Sequence, residues 1–213
     1  MNNRSVPLAL EHVYRWETEK ANDIYLTQPL ENGDVRTYTW EQAASEARRM
    51  ASYLQSLKLP AKSHIALLSK NCAQWVMADW AIWMAGHVTV PLYPTLNADT
   101  VSYIIEHSEA KVLFAGKLDD WDDMKAGVPK ELPTITFDLS PAELKQQHAD
   151  WDSIVSENEP MKENTARDPE EVATIVYTSG STGRPKGVML SFHGMAYAAQ
   201  GVIASLNVSD TDR

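Results

Sequence analysis

Short apolar runs alternate with stretches of helical periodicity along most of this chain of 213 residues. Continuous apolar runs bounded by polar or turn residues favour strands, and apolar residues spaced three and four apart favour helices. The pattern predicts strands at residues 34–39, 64–68, 88–93, 111–115, 134–137, 172–177 and 187–190. Helices are predicted between most of them. Thr39 with Gln42 forms a capping-box pattern at one helix start, and Asn71 and Asn97 are predicted to cap two others.

Strands and helices that alternate with short connections indicate βαβ units. We therefore predict an α/β fold in which a parallel sheet, or sheets, is flanked by helices. The pattern divides the chain into an N-terminal arm (1–36), an α/β subdomain (37–152), a polar linker with two prolines (153–171) and a final strand–loop–strand–helix segment (172–213).

The formal charge of −10 makes an extended nucleic-acid surface unexpected, because phosphate backbones are bound by clustered cations. A single cysteine, Cys72, excludes an internal disulfide and is typical of a reducing compartment. The most apolar stretch, residues 75–93, is interrupted by Asp79 and Pro91, so no membrane span is expected. These features together predict a cytoplasmic protein.

Residues 177–187, YTSGSTGRPKG, combine three glycines, four hydroxyl side chains beyond Tyr177 and two cations. Glycine-rich backbone can turn its amides inward to form a concave anion site. The candidate binding residues are Thr178, Ser179, Gly180, Ser181, Thr182, Gly183 and Lys186. Arg184 and Lys186 supply local positive charge in an acidic chain. This composition suits the binding of a polyphosphate such as the tail of ATP. The alternative is that the stretch is a flexible hairpin that binds no ligand.

The loop does not follow the Walker pattern G-x-x-x-x-G-K-[ST]. Counted from Gly180, the sixth position is Pro185, and Gly187 stands where the pattern needs a hydroxyl. The residues after Lys186 also indicate a strand, whereas a Walker loop opens directly into a helix. The sequence therefore predicts a phosphate loop of another design.

Other residues have both a chemical and a structural interpretation, and for each we favour the structural one. Cys72 near a helix start suggests a reactive thiol, but no paired histidine is apparent, and packing is the expectation. His193 follows the loop but suits a helix start or the surface. The acidic run 119–123 lacks the glycine and distal glutamate of a calcium loop. Three tryptophans at helical spacing predict core rather than an acyl tunnel: Trp75, Trp80 and Trp83.

Residues 178–187 resemble the signature loop of the adenylate-forming superfamily, which includes acyl-CoA synthetases, nonribosomal peptide adenylation domains and luciferases. The resemblance extends over most of the chain from about Thr37, through residues 71–77, 85–95, 104–114 and 168–178. Its details are most similar to synthetases of medium- or long-chain fatty acids. In one departure, Phe192 stands where the family often has histidine, with His193 one place later.

The resemblance implies a two-step ligation with ATP, Mg²⁺ and coenzyme A, in which a carboxylate becomes an acyl-adenylate and is then transferred to a thiol. It assigns residues 178–183 to the outer phosphates and gives catalytic roles to Lys186 and Thr182, with Ser181 as the alternative hydroxyl for the leaving pyrophosphate. No metal-ligating residue is identified. Alternatives are an adenylation domain for amino acids or other carboxylates, and a catalytically incomplete nucleotide-binding module.

Family members are longer, so the chain is expected to be an N-terminal piece of such an enzyme, with the residues for adenine, ribose and thioester chemistry beyond Arg213. The expected partners are a small carboxylate and the remainder of the same polypeptide. Alone, the piece is expected to be inactive and to expose apolar surface through which it could dimerise.

Overall fold

The computed structural model describes residues 6–30, 33–179 and 183–209. The helices in these ranges are α1 (Ala9–Glu19), α2 (Trp40–Ser56), α3 (Ala73–Met84), α4 (Ala98–His107), α5 (Trp121–Met124), α6 (Ala142–Gln147), α7 (Trp151–Glu157) and α8 (Phe192–Leu206). The strands are β1 (Ile24–Pro29), β2 (Val35–Thr39), β3 (His64–Leu68), β4 (Val88–Leu92), β5 (Val112–Ala115), β6 (Thr134–Thr136), β7 (Ala149–Asp150), β8 (Val172–Thr178) and β9 (Lys186–Ser191).

A seven-stranded sheet in the order β7-β6-β5-β3-β4-β8-β9 forms the centre of the fold. Its first six strands are parallel to their neighbours, and β9 pairs with β8 in the antiparallel direction at one edge. The predicted parallel α/β sheet is therefore confirmed. A separate antiparallel hairpin of β1 and β2 packs against α2 and α3.

Two apolar clusters cover the two faces of the sheet, because alternate residues of each strand point to opposite sides. Ile65, Leu67 and Phe114 pack with α1, α2, α3 and α7 on one face. Ala66, Leu68 and Leu113 pack with α4 and α5 on the other face. The continuous apolar runs in the sequence thus reflect strands that are buried on both sides.

Two of the three predicted helix caps are confirmed. Thr39 and Gln42 exchange hydrogen bonds at the start of α2, and the Asn97 side chain accepts from the Thr100 amide. The cap assigned to Asn71 is wrong, because α3 begins one residue later, with Cys72 in the cap position. There the Ala73 amide donates to Gln28 Oε1 at 2.9 Å, so a side chain from β1 satisfies the helix end.

Several segments form elements that periodicity did not predict. The N-terminal residues contain α1 and β1, and the polar stretch after residue 137 contains α6, β7 and α7.

Arg48 of α2 connects the N-terminal helix to residues 161–164. Its guanidinium binds Glu17 of α1 and the Asn164 side chain, and it donates to the carbonyl oxygen of Met161. The division of the chain at residues 36, 152 and 171 stays a prediction.

Gly127 allows the short helical turn after α5 to lie directly against the start of α4. A Cβ atom added at Gly127 would lie 2.1 Å from the carbonyl oxygen of Ala98. We expect Gly127→Ala to lower the free energy of unfolding by about 2 kcal/mol, since backbone must move to relieve the overlap. Urea denaturation would measure it. Gly201→Ala in α8 meets open space and is the matched control. Equal stability of both variants would contradict this account.

Asp79 of α3 carries a carboxylate that accepts a 2.5 Å hydrogen bond from the hydroxyl of the buried Thr89 on β4. Thr174 of β8 donates to the carbonyl oxygen of Thr89, so hydrogen bonds through Thr89 connect α3, β4 and β8. Burial raises the pKa of Asp79 to about 7, and the hydrogen bond from Thr89 opposes the shift.

This raised pKa predicts a loss of stability as pH rises. Between about pH 4, where an unfolded aspartate ionises, and pH 7, the folded chain holds one proton more than the unfolded chain, so stability falls. Asp79→Asn should reduce the decline between pH 5 and pH 8 by an amount on the order of 2 kcal/mol. Urea denaturation at both pH values measures this, with the exposed Asp23→Asn as control. A decline unchanged in Asp79→Asn would refute the prediction.

Candidate functional site

The glycine- and hydroxyl-rich loop joins two strands that form an antiparallel hairpin. Thr178 at the end of β8 lies opposite Lys186 at the start of β9, and Tyr177 lies opposite Gly187. Residues 179–185 connect the last pair, whereas ordinary hairpin connections are about two to five residues long. The two strands therefore hold Thr178, the first hydroxyl-bearing residue of the loop sequence, beside Lys186 at the base of a long loop.

The position of the hairpin in the sheet places this loop among the carboxyl ends of the parallel strands. β8 runs parallel to β4, and β4 runs parallel to β3. Ligands of open α/β sheets bind outside the carboxyl ends of the strands. The loop therefore follows β8 at the edge of the sheet where this class of fold binds small molecules.

Four of the residues predicted to bind phosphate are described by the structure. Thr178, Ser179, Gly183 and Lys186 are exposed, and Gly183 has a φ of +89°, a backbone conformation that glycine adopts without strain. In the described part of the chain, Lys186 makes no ion pair with a carboxylate. Its charge is therefore available to an anion. The other three predicted residues, Gly180, Ser181 and Thr182, lie outside the described residues.

The two cations of the loop differ in their surroundings. The Arg184 guanidinium lies over the ring of Tyr103 on α4, 5.3 Å from the ring centre. Pro185, the next residue, accepts a hydrogen bond from the Tyr103 hydroxyl at 3.3 Å through its carbonyl oxygen. From the sequence, Arg184 and Lys186 were expected to form one local cluster of positive charge. In the structure the Arg184 side chain instead packs against Tyr103 of α4.

A second contact joins α4 to the base of the hairpin. The hydroxyl of Tyr177 and Nδ1 of His107 lie 2.7 Å apart, and the ring of Tyr103 stands perpendicular to that of Tyr177. Burial raises the pKa of Tyr177, and the nearby Tyr103 adds to the shift. Sequence reasoning missed Tyr103 and His107. They lie about 70 to 80 residues before the loop, and their spacing carries only the signal of an amphipathic helix.

The structural interpretation of Cys72 agrees with its surroundings. The thiol is buried, and desolvation raises its pKa, which is the opposite of the shift that a reactive thiol needs. His193 is exposed at the start of α8, where its amide donates to the carbonyl of Pro169 at 2.8 Å. Neither residue approaches the predicted binding residues through a contact that the structure describes.

The remaining candidates also make structural contacts. Trp80 and Trp83 are buried in the core, and the Trp83 indole donates to the carbonyl of Ala173. In the acidic run, Asp119 pairs with Lys70, and the described ranges contain no group of three or more metal-ligating side chains. Phe192, the departure from the family pattern, is buried against Trp83 and beneath Arg167.

A family model described as AMP-binding enzyme matches residues 13–213. The match covers nearly the whole chain, and it includes the hairpin, its loop and the sheet that supports them. The chain therefore belongs to the AMP-binding enzyme family. The loop at residues 178–187 and the similar stretches before it in the sequence are the features by which we expected membership.

Two of the similar proteins have names that refer to fatty acids. The chain is 33% identical over 189 residues to the long-chain-fatty-acid–CoA ligase FadD15 of Mycobacterium bovis, a match that covers 85% of this chain and 31% of the relative. It is 33% identical over 180 residues to fatty acyl-CoA synthetase A of Dictyostelium discoideum, covering 79% and 27% respectively. The chain thus spans about a third of the length of these relatives or less.

Among solved structures, the acetoacetyl-CoA synthetase of Streptomyces lividans aligns with a TM-score of 0.83 and 22% sequence identity. The alignment covers 97% of this chain and 34% of that structure. At this identity the likeness concerns the fold. In the described ranges, no helix combines the length and the apolar character needed to cross a bilayer.

Proposed function

We propose that this chain supplies the outer-phosphate part of the ATP site in an ATP-dependent acid–thiol ligase. The ligase would activate a carboxylate, in our proposal a fatty acid, as acyl-AMP and transfer the acyl group to coenzyme A. One observation carries the proposal: in a chain of the AMP-binding enzyme family, the hairpin sets Thr178 beside Lys186 at the base of a glycine-rich loop, and no carboxylate among the described residues pairs with Lys186. The fatty acid is supported by the two relatives named above.

In the first step of this reaction, a carboxylate oxygen attacks the α-phosphorus of ATP, and the bond to the leaving pyrophosphate breaks. Negative charge then grows on the pyrophosphate oxygens, and preorganised cations and hydrogen-bond donors lower the barrier by binding them. We assign Lys186 as the counter-charge, and Thr178 and Ser179 as donors. Gly180, Ser181, Thr182 and Gly183 complete the proposed set, with Thr182 as the hydroxyl that contacts the leaving group.

Magnesium, when bound with ATP, would neutralise part of the phosphate charge. The exposed hydroxyls of Thr178 and Ser179 fit a Mg²⁺ ion that the triphosphate already holds, because Mg²⁺ takes oxygen ligands and keeps few protein ones. We assign no residue of this chain to coenzyme A. A cytoplasmic location is proposed on the ground of the single, unpaired cysteine.

The test is ATP–pyrophosphate exchange with the complete protein encoded by the gene, over a panel of fatty acids of increasing length, aromatic acids and amino acids. We expect exchange that depends on a fatty acid, followed by thioester formation when coenzyme A is added. Exchange driven by amino acids alone would favour an amino-acid adenylation domain. ATP binding without exchange for any acid would indicate an incomplete nucleotide-binding module. Failure to bind Mg-ATP would overturn the proposal.

The edge strand β9 and helix α8 present an apolar surface that we propose is covered in the working enzyme. Its exposed side chains are Val188, Met189, Leu190, Tyr197, Val202, Ile203 and Leu206. Large apolar patches on the surface of a protein mark interaction sites. The remainder of the polypeptide is the proposed partner. Without it we expect the 213-residue chain to be inactive and prone to dimerise through this surface.

A further inference from the structure

The carboxyl-terminal arm of the loop, residues 183–185, rests on helix α4. Two contacts from one side chain hold it: the Tyr103 ring lies beneath the Arg184 guanidinium, and the Tyr103 hydroxyl donates to the Pro185 carbonyl. These contacts use different parts of Tyr103, its ring and its hydroxyl. The arm therefore has a defined position on the fold.

Tyr103 is itself held in place. Its helix is anchored in the core by Val101, Ile104 and Ile105, and its ring packs edge-on against Tyr177 of β8. His107, one turn further along α4, contacts the Tyr177 hydroxyl. The support under the loop therefore extends from the loop through Tyr103 into the sheet.

We propose that Tyr103 is a positioning residue for the phosphate loop, and that Arg184 anchors the loop to α4 instead of binding phosphate. The proposal rests on the function proposed above. Pro185 lies between the anchored Arg184 and Lys186, and its ring fixes one backbone torsion. We call the contacts of Tyr103 with Arg184 and Pro185 the clamp. The clamp sets the position from which the Lys186 side chain reaches the nucleotide, and Lys186 is the cation that binds the phosphates.

The competing account is that Arg184 leaves Tyr103 and binds phosphate when ATP arrives. The two accounts differ in what happens before any nucleotide is present. If Arg184 is an anchor, its loss loosens the empty loop. If it is a ligand only, the empty loop is unchanged and the defect appears only with ATP.

Amide hydrogen exchange of the complete protein without nucleotide separates these accounts. We expect exchange in residues 183–187 to be about threefold faster in Tyr103→Phe, which loses one hydrogen bond. About a fivefold increase is expected in Arg184→Gln, which loses the ring–cation contact, and a larger increase in Tyr103→Leu, which loses that contact and the hydrogen bond. Gln55→Ala, an exposed position on α2, which packs on the opposite face of the sheet from α4, is the control and should not change. Lys186→Gln should also leave exchange in the empty loop unchanged.

Pyrophosphate exchange then tests the consequence for the reaction. Tyr103→Leu and Arg184→Gln should each raise KM for Mg-ATP about threefold to tenfold, because a loose loop must be ordered on binding. The double variant should be no worse than Tyr103→Leu alone, since that substitution already removes both contacts of Tyr103 with the loop. Arg184→Lys, which keeps a cation for the ring, should restore most of the affinity.

The outcomes are distinguishable from failure of the proposed function. If no acid supports pyrophosphate exchange in the unaltered protein, the ligase proposal falls, while hydrogen exchange still tests the clamp. If Tyr103→Phe and Arg184→Gln leave the empty loop unchanged, the clamp is refuted. If Arg184→Gln weakens ATP binding further in the Tyr103→Leu background, Arg184 is a phosphate ligand and the proposal is overturned. Tyr103→Phe keeps the ring packing and serves if Tyr103→Leu does not fold.

Discussion

Replacing Lys186 with glutamine in the complete protein is expected to slow ATP–pyrophosphate exchange about a hundredfold, the loss seen when one preorganised charge-stabilising group is removed from an active site. Lys186 is exposed at the base of the loop, beside Thr178, and no carboxylate of the described residues neutralises it. Because charge develops on pyrophosphate as it leaves, we expect the loss mainly in kcat.

The control for this experiment is Lys130→Gln, an exposed lysine far from the loop in sequence. It removes the same charge from the protein and should leave exchange unchanged. A rate for Lys186→Gln within a factor of two of the unaltered protein would remove Lys186 from the mechanism. A defect that appears only as a higher KM would assign Lys186 to ground-state binding of the nucleotide.

Arg48→Met is expected to lower the free energy of unfolding by about 3 kcal/mol, the largest stability effect we predict. The Arg48 side chain is only 10% exposed and forms two hydrogen bonds with the carboxylate of Glu17. It also binds the Asn164 side chain and the Met161 carbonyl. Methionine keeps much of the apolar volume but leaves the largely buried Glu17 charge and these acceptors without their donor.

Arg15→Met is the matched control, because Arg15 forms a surface pair with Glu19, in which the side chains are 48% and 64% exposed. Exposed pairs of this kind contribute about 0 to 1 kcal/mol. Chemical denaturation of both variants at one pH measures the difference. A similar small loss in both would show that the Arg48 network contributes little, and that residues 161–164 are not held by it.

Strands and long helices were predictable where burial is uniform or follows one clear period. The apolar runs of β3, β4 and β5 mark strands covered on both faces, and the caps at Thr39 and Asn97 mark helix starts. The short elements α6, β7 and α7 were missed because two to seven residues give too few positions to show a period. The cap at Asn71 failed because Gln28 satisfies that helix end from a distant strand.

The site was predictable only in part. Residues 177–187 carry their chemistry in one contiguous stretch, so glycines, hydroxyls and Lys186 could be recognised without the fold. The support from Tyr103 and His107 could not, because a pattern along one helix predicts which side faces inward and not which loop it contacts. The same limit applies to Arg184, whose contact with the Tyr103 ring is not indicated by any local pattern in the sequence.

By itself the sequence determined the α/β class, six of the seven strands of the sheet and the loop with its lysine, because burial pattern and backbone chemistry are local properties. Only the tertiary structure decided the strand order, the pairing of Thr178 with Lys186 and the different surroundings of the two loop cations. These features depend on contacts between residues far apart in the chain. Such contacts are set by the free energy of packing the whole sheet between its helices, which no local stretch of sequence contains.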